Sequence, residues 1–146
     1  MPMGNIFETD LLKLIFNGTA IANLVDNAAT APLTSLYIAG HTADPGDDGN
    51  QSTNEIAYTG YARVAATRNS GGWTVTGNSV SPTVRIDFPA GTGGSGTMRY
   101  ISIGTAVSGT GKILFSGAIT PNIVCGNAIT PELATTSSIS FTNPVV

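Results

Sequence analysis

Charge is what this chain has least of. Only 10% of its 146 residues are Asp, Glu, Lys or Arg, against about a quarter in an average soluble domain. The six basic residues, Lys13, Arg63, Arg68, Arg85, Arg99 and Lys112, are scattered singly, and the formal net charge is −3. Gripping nucleic-acid phosphates needs clustered Lys and Arg, so no nucleic-acid partner is expected. Cysteine is almost missing as well. Cys125 is the single one, which rules out an intrachain disulfide and any multi-cysteine metal site. Its apolar setting, Ile123-Val124-Cys125-Gly126, reads as a buried small hydrophobe. No run approaches the roughly 20 apolar residues of a membrane-spanning helix, so no membrane partner is expected either. The first residues lack the basic-then-apolar pattern of a secretory leader, which points to synthesis in a cytoplasm.

Small polar residues fill the space that charge leaves. The chain carries 20 Thr, 12 Ser and 18 Gly. The hydrophobic fraction is 41%, and a chain of this length buries roughly two-thirds of its unfolded surface, so one domain with a real core is expected. A Thr/Ser/Gly-rich protein with so few charges has weak electrostatic protection against self-association. That composition suits a part that lives against other protein. It places a structural component ahead of an enzyme.

Helical signals are confined to the start. Asn5 followed by Glu8 resembles a capping box, and Leu11, Leu12, Ile15 and Phe16 form an apolar stripe at helical period. Asn17-Gly18 then supplies a helix stop, and Ile21, Leu24 and Val25 suggest a second short turn. This amphipathic arm can pack on its own sheet or on a neighbouring subunit, and the intramolecular packing is the first expectation. From Thr34 onward, short apolar or alternating stretches are each closed by Gly, Asn or Pro. Strands are predicted at Thr34–Ala39, Tyr61–Thr67, Trp73–Thr76, Val84–Phe88, Met98–Ile103, Lys112–Ser116 and Ile139–Phe141. Asn69-Ser70-Gly71-Gly72 predicts a hairpin turn between the second and third of these. Val84, Ile86 and Phe88 are expected on one face, and Gly91–Gly96 as a flexible linker. Ala118-Ile119-Thr120-Pro121 recurs as Ala128-Ile129-Thr130-Pro131, which predicts two similar strands, placed at a sheet edge because proline lacks a ladder donor. Eight or so strands at this spacing point to an antiparallel sandwich or barrel.

Candidate chemistry is sparse. His41 with Asp44 is the nearest approach to a base and its orienting carboxylate, yet it sits in a turn-rich segment, and loop anchoring is the simpler role. Asp44, Asp47, Asp48 and Asn50 could offer Ca²⁺ hard oxygens, but Pro45 and Gly46 break the alternation of an EF-hand loop. Gly91–Gly96 is not followed by the Lys-Ser/Thr of a phosphate loop. Trp73, Tyr58, Tyr61 and Tyr100 could stack on sugars, although the Trp73–Val75 alternation places the indole on an apolar face. No metal ligand set, cofactor motif or activated nucleophile emerges. The segment His41–Thr59 is long and aperiodic, and such loops are usually functional or mobile.

Three segments carry a family resemblance. Leu36-Tyr37-Ile38-Ala39-Gly40-His41-Thr42-Ala43-Asp44-Pro45-Gly46, Tyr58-Thr59-Gly60-Tyr61-Ala62-Arg63 and Gly72-Trp73-Thr74-Val75-Thr76-Gly77-Asn78 resemble small tailed-bacteriophage structural proteins, in an order running from about Asn5 to Ile139. Members are described as tail-fibre-like proteins or as capsid cement (decoration) proteins. Those with a jelly-roll fold that dimerises on the outside of the head are the nearest comparison. Gly40 departs from the bulky apolar residue expected before the histidine. The resemblance implies a jelly-roll-like antiparallel β-sandwich over 34–146 with an N-terminal helical arm over 1–33. It implies no catalytic residue and no cofactor. It also implies a homodimer bound to the major capsid protein on the outer capsid surface of the virion. Arms reaching over neighbours would use Ile6, Phe7, Leu11, Ile15 and Phe16 at one end and Pro144, Val145 and Val146 at the other. His41, Asp44, Asp47 and Asp48 would supply loop contacts. The alternatives are a tail or fibre module touching cell-surface glycans and a Ca²⁺-dependent carbohydrate-binding module.

Overall fold

Apolar alternation and turn residues produce a mainly β chain with antiparallel sheets and one short N-terminal helix. A computed structural model describes residues 5–20 and 32–142. The second short turn expected at Ile21–Val25 and the tail residues Pro144, Val145 and Val146 lie outside the described residues, as does the side chain of Phe7. In chain order the elements are α1 (Asn5–Asn17), β1 (Ser35–His41), β2 (Val64–Thr67), β3 (Trp73–Thr76), β4 (Ser79–Pro82), β5 (Ile86–Asp87), β6 (Ser95–Gly104), β7 (Ile113–Gly126), β8 (Glu132–Leu133) and β9 (Ile139–Ser140). They fall into two compact units. One takes the chain up to Thr34, Thr67–Arg85 and the residues from Ala134, and the other takes Ser35–Ala66 and Ile86–Leu133.

The first unit is a helix on a small sheet of order β3-β4-β9. Leu12 and Phe16 lie on the buried side of α1 with no exposed surface. The Phe16 ring meets Trp73 of β3 edge-on, with centroids 4.8 Å apart, which is a favoured aromatic geometry. The intramolecular packing of the helix is therefore the observed one. Phe16, expected to reach a neighbouring subunit, is fully buried against Trp73 within its own unit. Leu11 and Ile15 are half-buried, and Ile6 is 80% exposed. Glu8, expected to reach back to the start of the helix, is buried, and its Oε1 has no hydrogen-bond partner among the described residues. At the other end of α1, Arg68 donates from Nε to the Ile15 carbonyl (2.6 Å) and from Nη2 to that of Leu14 (2.5 Å). A cation there satisfies orphan carbonyls and complements the negative end of the helix dipole.

The predicted hairpin lies one turn later than expected. Thr76 pairs with Ser79 and Trp73 with Pro82, so β3 and β4 close around the two residues Gly77-Asn78, a preferred two-residue connection. The Asn69 side chain instead accepts from Gly71 N and Gly72 N, folding the chain into a self-contained Asx turn. Strand β2, on its far side, pairs with β1 rather than β3. Val84 also departs from expectation. It is 60% exposed, because pairing here covers only Ile86 and Asp87, opposite Leu133 and Glu132.

The second unit holds a four-stranded sheet of order β2-β1-β6-β7 and the short β5-β8 pair. Ile38 stands opposite Ile103, and both are buried with Leu36, Met98, Ile86 and Phe88. Gly40 has no Cβ because one would overlap the thioether of Met98. The missing bulk at that position is thus supplied from β6. The Gly91–Gly96 segment is laced rather than flexible. Gly91 N donates to Ile129 O, Thr92 N donates to Thr59 O and Gly93 O accepts from Thr59 N, each at 2.9 Å. Only the first copy of the internal echo is a strand. Ala118–Pro121 lies within β7, and Ala128–Pro131 lies outside the strands, where Ile129 N and Ala128 N close the turn onto Gly126 O and Gly91 O. Pro121 does sit on an edge strand.

Truncating Phe16 to Ala should cost about 3–5 kcal/mol, as for other fully buried aromatics. Ile6→Ala should stay within about 0.5 kcal/mol, as exposed sites do. Urea midpoints of the two variants would check the contrast, and equal midpoints would contradict the packing.

Candidate functional site

Chemically distinctive side chains collect at one end of the second unit, around the long loop that follows β1. Strand pairing starts the assembly. His41 opposes Tyr100 and Ala39 opposes Ser102, so His41 and Ser102 are diagonal neighbours on one face. His41 Nε2 lies 2.7 Å from Ser102 Oγ, and His41 Nδ1 lies 2.8 Å from the Thr53 carbonyl. A carbonyl only accepts, so the neutral ring carries its proton on Nδ1 and takes the Ser102 hydroxyl proton at Nε2. Histidine and serine are both fully buried. Their hydrogen bond resembles half of a catalytic triad, but the Ser102 oxygen meets no solvent. The pair works as an internal tie between β1, β6 and the loop.

Arg63 is the centre of the cluster. Its guanidinium donates from Nε to Glu55 Oε1 (2.7 Å) and from Nη2 to Glu55 Oε2 (2.8 Å). The same group donates to the Ala106 carbonyl (3.0 Å) and to the Gly109 carbonyl (2.7 Å). Side-chain exposure is 2% for Arg63 and 19% for Glu55. Such a pair is shielded from screening and has the bidentate geometry of the strongest charge-assisted hydrogen bonds. Tyr61 completes it, donating its hydroxyl proton to Glu55 Oε1 (2.8 Å) and accepting from Gly40 N (3.1 Å). Burial, with the Glu55 charge beside it, pushes the Tyr61 phenol well above its ordinary value. Hydrogen bonding to Glu55 first, with its charge adding, raises the Arg63 guanidinium further. Both stay in their hydrogen-bonding forms across the accessible pH range.

Gln51 makes the second tie. Its Nε2 donates to Tyr37 O (3.0 Å), its Oε1 accepts from Ala106 N (3.0 Å), and its own N–H donates to Gly111 O (2.9 Å). The amide fits only because a Cβ at Gly104 or Gly111 would overlap the Gln51 side chain. Two loops, 42–59 and 105–111, are therefore fastened to the sheet by buried polar groups that all have partners. The long segment is a closed excursion. Thr42 N donates to Asn54 O (2.8 Å) and Ile56 N donates to Gly40 O (2.9 Å).

His41, Asp44, Asp47 and Asp48, singled out in the sequence, separate into interior and surface. His41 faces inward. Asp44 is exposed and accepts from Gly46 N through Oδ1 and from Asn54 Nδ2 through its carbonyl, so it shapes its own turn. Asp47 and Asp48 are exposed, and no His/Cys/Asp/Glu group able to hold a metal occurs among the described residues. Three of the four candidate sugar-stacking aromatics are committed elsewhere, and Tyr100 is half-buried on β6. Trp73 is 1% and Tyr58 is 3% exposed, and Tyr61 is stacked on Phe88 at 6.3 Å. Cys125 is buried, and desolvation raises its thiol above the ordinary value. Arg63, Glu55, Gln51 and Ser102 were not singled out as site residues, and Tyr61 was named only as a candidate sugar-stacking ring. The one available signal was Arg63 itself, an isolated cation in a chain nearly free of charge.

The family model described as Podophage GP4 fiber I protein gp80 matches residues 2–137. No curated protein matches the chain.

Replacing Arg63 by Met keeps the length but strands Glu55 and two carbonyls. The expected loss is about 3–5 kcal/mol, as for other broken buried pairs, readable as a fall in urea midpoint. Glu55→Gln, which keeps an acceptor, should cost less. Burial, the largest influence, lowers the His41 pKa below 6.5, with Arg63 acting the same way and the Thr53 carbonyl, Glu55 and Asp44 opposing. Its stabilising contribution is complete above 6.5 and is lost as the pH falls from there to the folded-state pKa, because the unfolded chain takes up the proton first. Wild-type melting temperature should drop over that window more steeply than that of His41→Asn. Parallel curves would show that the ring titrates normally.

Proposed function

The chain belongs to the family of the podophage GP4 fiber I protein gp80, and we propose on that ground that this bacteriophage structural protein is a fibre-type subunit on the outside of the virion. It works by packing against other virion proteins rather than by turnover. The Arg63-centred fastening of the two loops carries this reading. An interface made from free loops would lose conformational entropy on docking, roughly 0.5–1.5 kcal/mol for each side chain immobilised. Here the loop backbones are already fastened by Arg63 and Gln51 within the fold, so docking has less ordering left to supply. The exposed residues of the two loops include Ala43, Asp44, Asp47, Asp48, Val107, Ser108 and Thr110. The small uncharged side chains of Ala43, Ser108 and Thr110 allow close approach, whereas the carboxylates of Asp44, Asp47 and Asp48 would have to stay hydrated or find partners in any contact.

The capsid-cement reading draws support from the low charge of the chain and from the resemblance to decoration proteins, with the major capsid protein as its partner. A cement protein binds the expanded shell in preference to the procapsid and stabilises it by mass action. A glycan-binding role for Trp73 and Tyr58 has less support, since both are buried.

Gold-labelled antibody against the protein, imaged on intact virions, should mark the tail. Label distributed over the head lattice, together with saturable binding of purified protein to expanded but not unexpanded shells, would replace the fibre assignment with cement.

A further inference from the structure

Among the described residues, every buried side-chain oxygen or nitrogen left without a hydrogen bond lies at one joint. The atoms are Glu8 Oε1, Asn17 Oδ1 and Trp73 Nε1. Glu8 and Asn17 belong to α1, and Trp73 belongs to β3, the strand that α1 packs on. The second unit buries His41, Gln51, Arg63 and Ser102, and each of them has partners. Unsatisfied polar groups are therefore concentrated where a single helix attaches.

The helix is also seated against its own pattern. Thr9 donates its hydroxyl proton to Gly77 O (2.6 Å), and Phe16 lies on Trp73, so α1 runs antiparallel to β3. Glu8, Leu12 and Phe16 are spaced by four and form one stripe, and all three are buried. A carboxylate thus takes the first place on the core-facing stripe. Ile6 meanwhile is exposed, and Leu11, Leu14 and Ile15 are half-buried. An amphipathic helix ordinarily sorts its residues the other way. Against this stand the burial of Leu12 and Phe16, the Thr9 hydrogen bond and the Arg68 guanidinium on the Leu14 and Ile15 carbonyls.

We infer that α1 is a latch built to open: it lifts off the β3-β4-β9 sheet and melts as one unit while the sheet stays folded. A helix of 13 residues is too short to persist once detached, so lifting and melting are one step. A buried polar atom without a partner carries a penalty that exposure to water removes. The closed state bears that penalty at Glu8, Asn17 and Trp73, and opening relieves all three together. The sheet has no such release, because β3 and β4 are paired from Trp73↔Pro82 to Thr76↔Ser79 and β9 pairs with β4. Opening uncovers the Trp73 indole together with Leu12 and Phe16. The latch belongs to the first unit and does not depend on which part of the virion the subunit occupies.

Residue-resolved amide hydrogen exchange on the intact chain tests this. Corrected for their unstructured rates, the amides of residues 9–17 should exchange at least about tenfold faster than the laddered amides of β3 and β4. Trp73 carries two reporters. Its backbone N–H donates to Asn69 O (3.0 Å) and should exchange with the sheet, whereas its indole N–H should exchange with α1. Glu8→Met keeps the side-chain length and removes the unpaired carboxylate. It should slow exchange over α1 by about tenfold and leave β3 and β4 unchanged, even though it gives up the smaller attraction of a carboxylate for the helix start. Equal protection of α1 and the β3–β4 amides in the wild type would overturn the latch, and is the result if bound water satisfies the three atoms. Unchanged or faster exchange over α1 in Glu8→Met would overturn it as well, since the penalty would then lie elsewhere. The wild-type comparison needs no variant, so it decides the matter even if Glu8→Met folds poorly.

Discussion

One guanidinium, almost completely removed from water, organises the charged interior of the second unit. Arg63 binds both oxygens of Glu55 and two loop carbonyls, and Glu55 in turn holds Tyr61, whose hydroxyl accepts from the β1 backbone. A buried cation is tolerable only when its donors are paired and its charge is compensated. Each loop must therefore stay where its acceptors meet the guanidinium. Loop positions that apolar contacts alone would leave loose are set by the penalty for moving them.

The surrounding packing is arranged to make room for this network. Gly104 and Gly111 leave space for the Gln51 amide, and Gly40 leaves space for Met98. Adding one methyl group at any of these positions would disturb a polar tie or a core contact. Glycine here is a packing residue. In the first unit, the Phe16–Trp73 contact and the Arg68 cap do the equivalent work for α1, fastening a helix that is too short to be stable alone.

Low charge links the interior to the proposed role. With net charge of −3 and ionisable side chains so few, the protein repels its own copies only weakly.

Local rules determined the helix, most strand positions and the class of fold, because periodicity, Asn-Gly stops and Pro/Gly turns act within a few residues of each other. The buried roles of Trp73 and Cys125 were readable for the same reason, from the apolar neighbours on either side. Tertiary structure alone decided that β3 pairs with β4 and β2 with β1, since Asn69-Ser70-Gly71-Gly72 and Gly77-Asn78 are both competent turns and only pairing of the whole chain chooses between them. It also decided the exposure of Val84 and the pinning of Gly91–Gly96. The site was hidden for the same physical reason: Arg63 meets Ala106 and Gly109 across 43 and 46 residues, and His41 meets Ser102 across 61. Sequence determined which groups were available to be buried, and the long-range strand register decided which of them would meet.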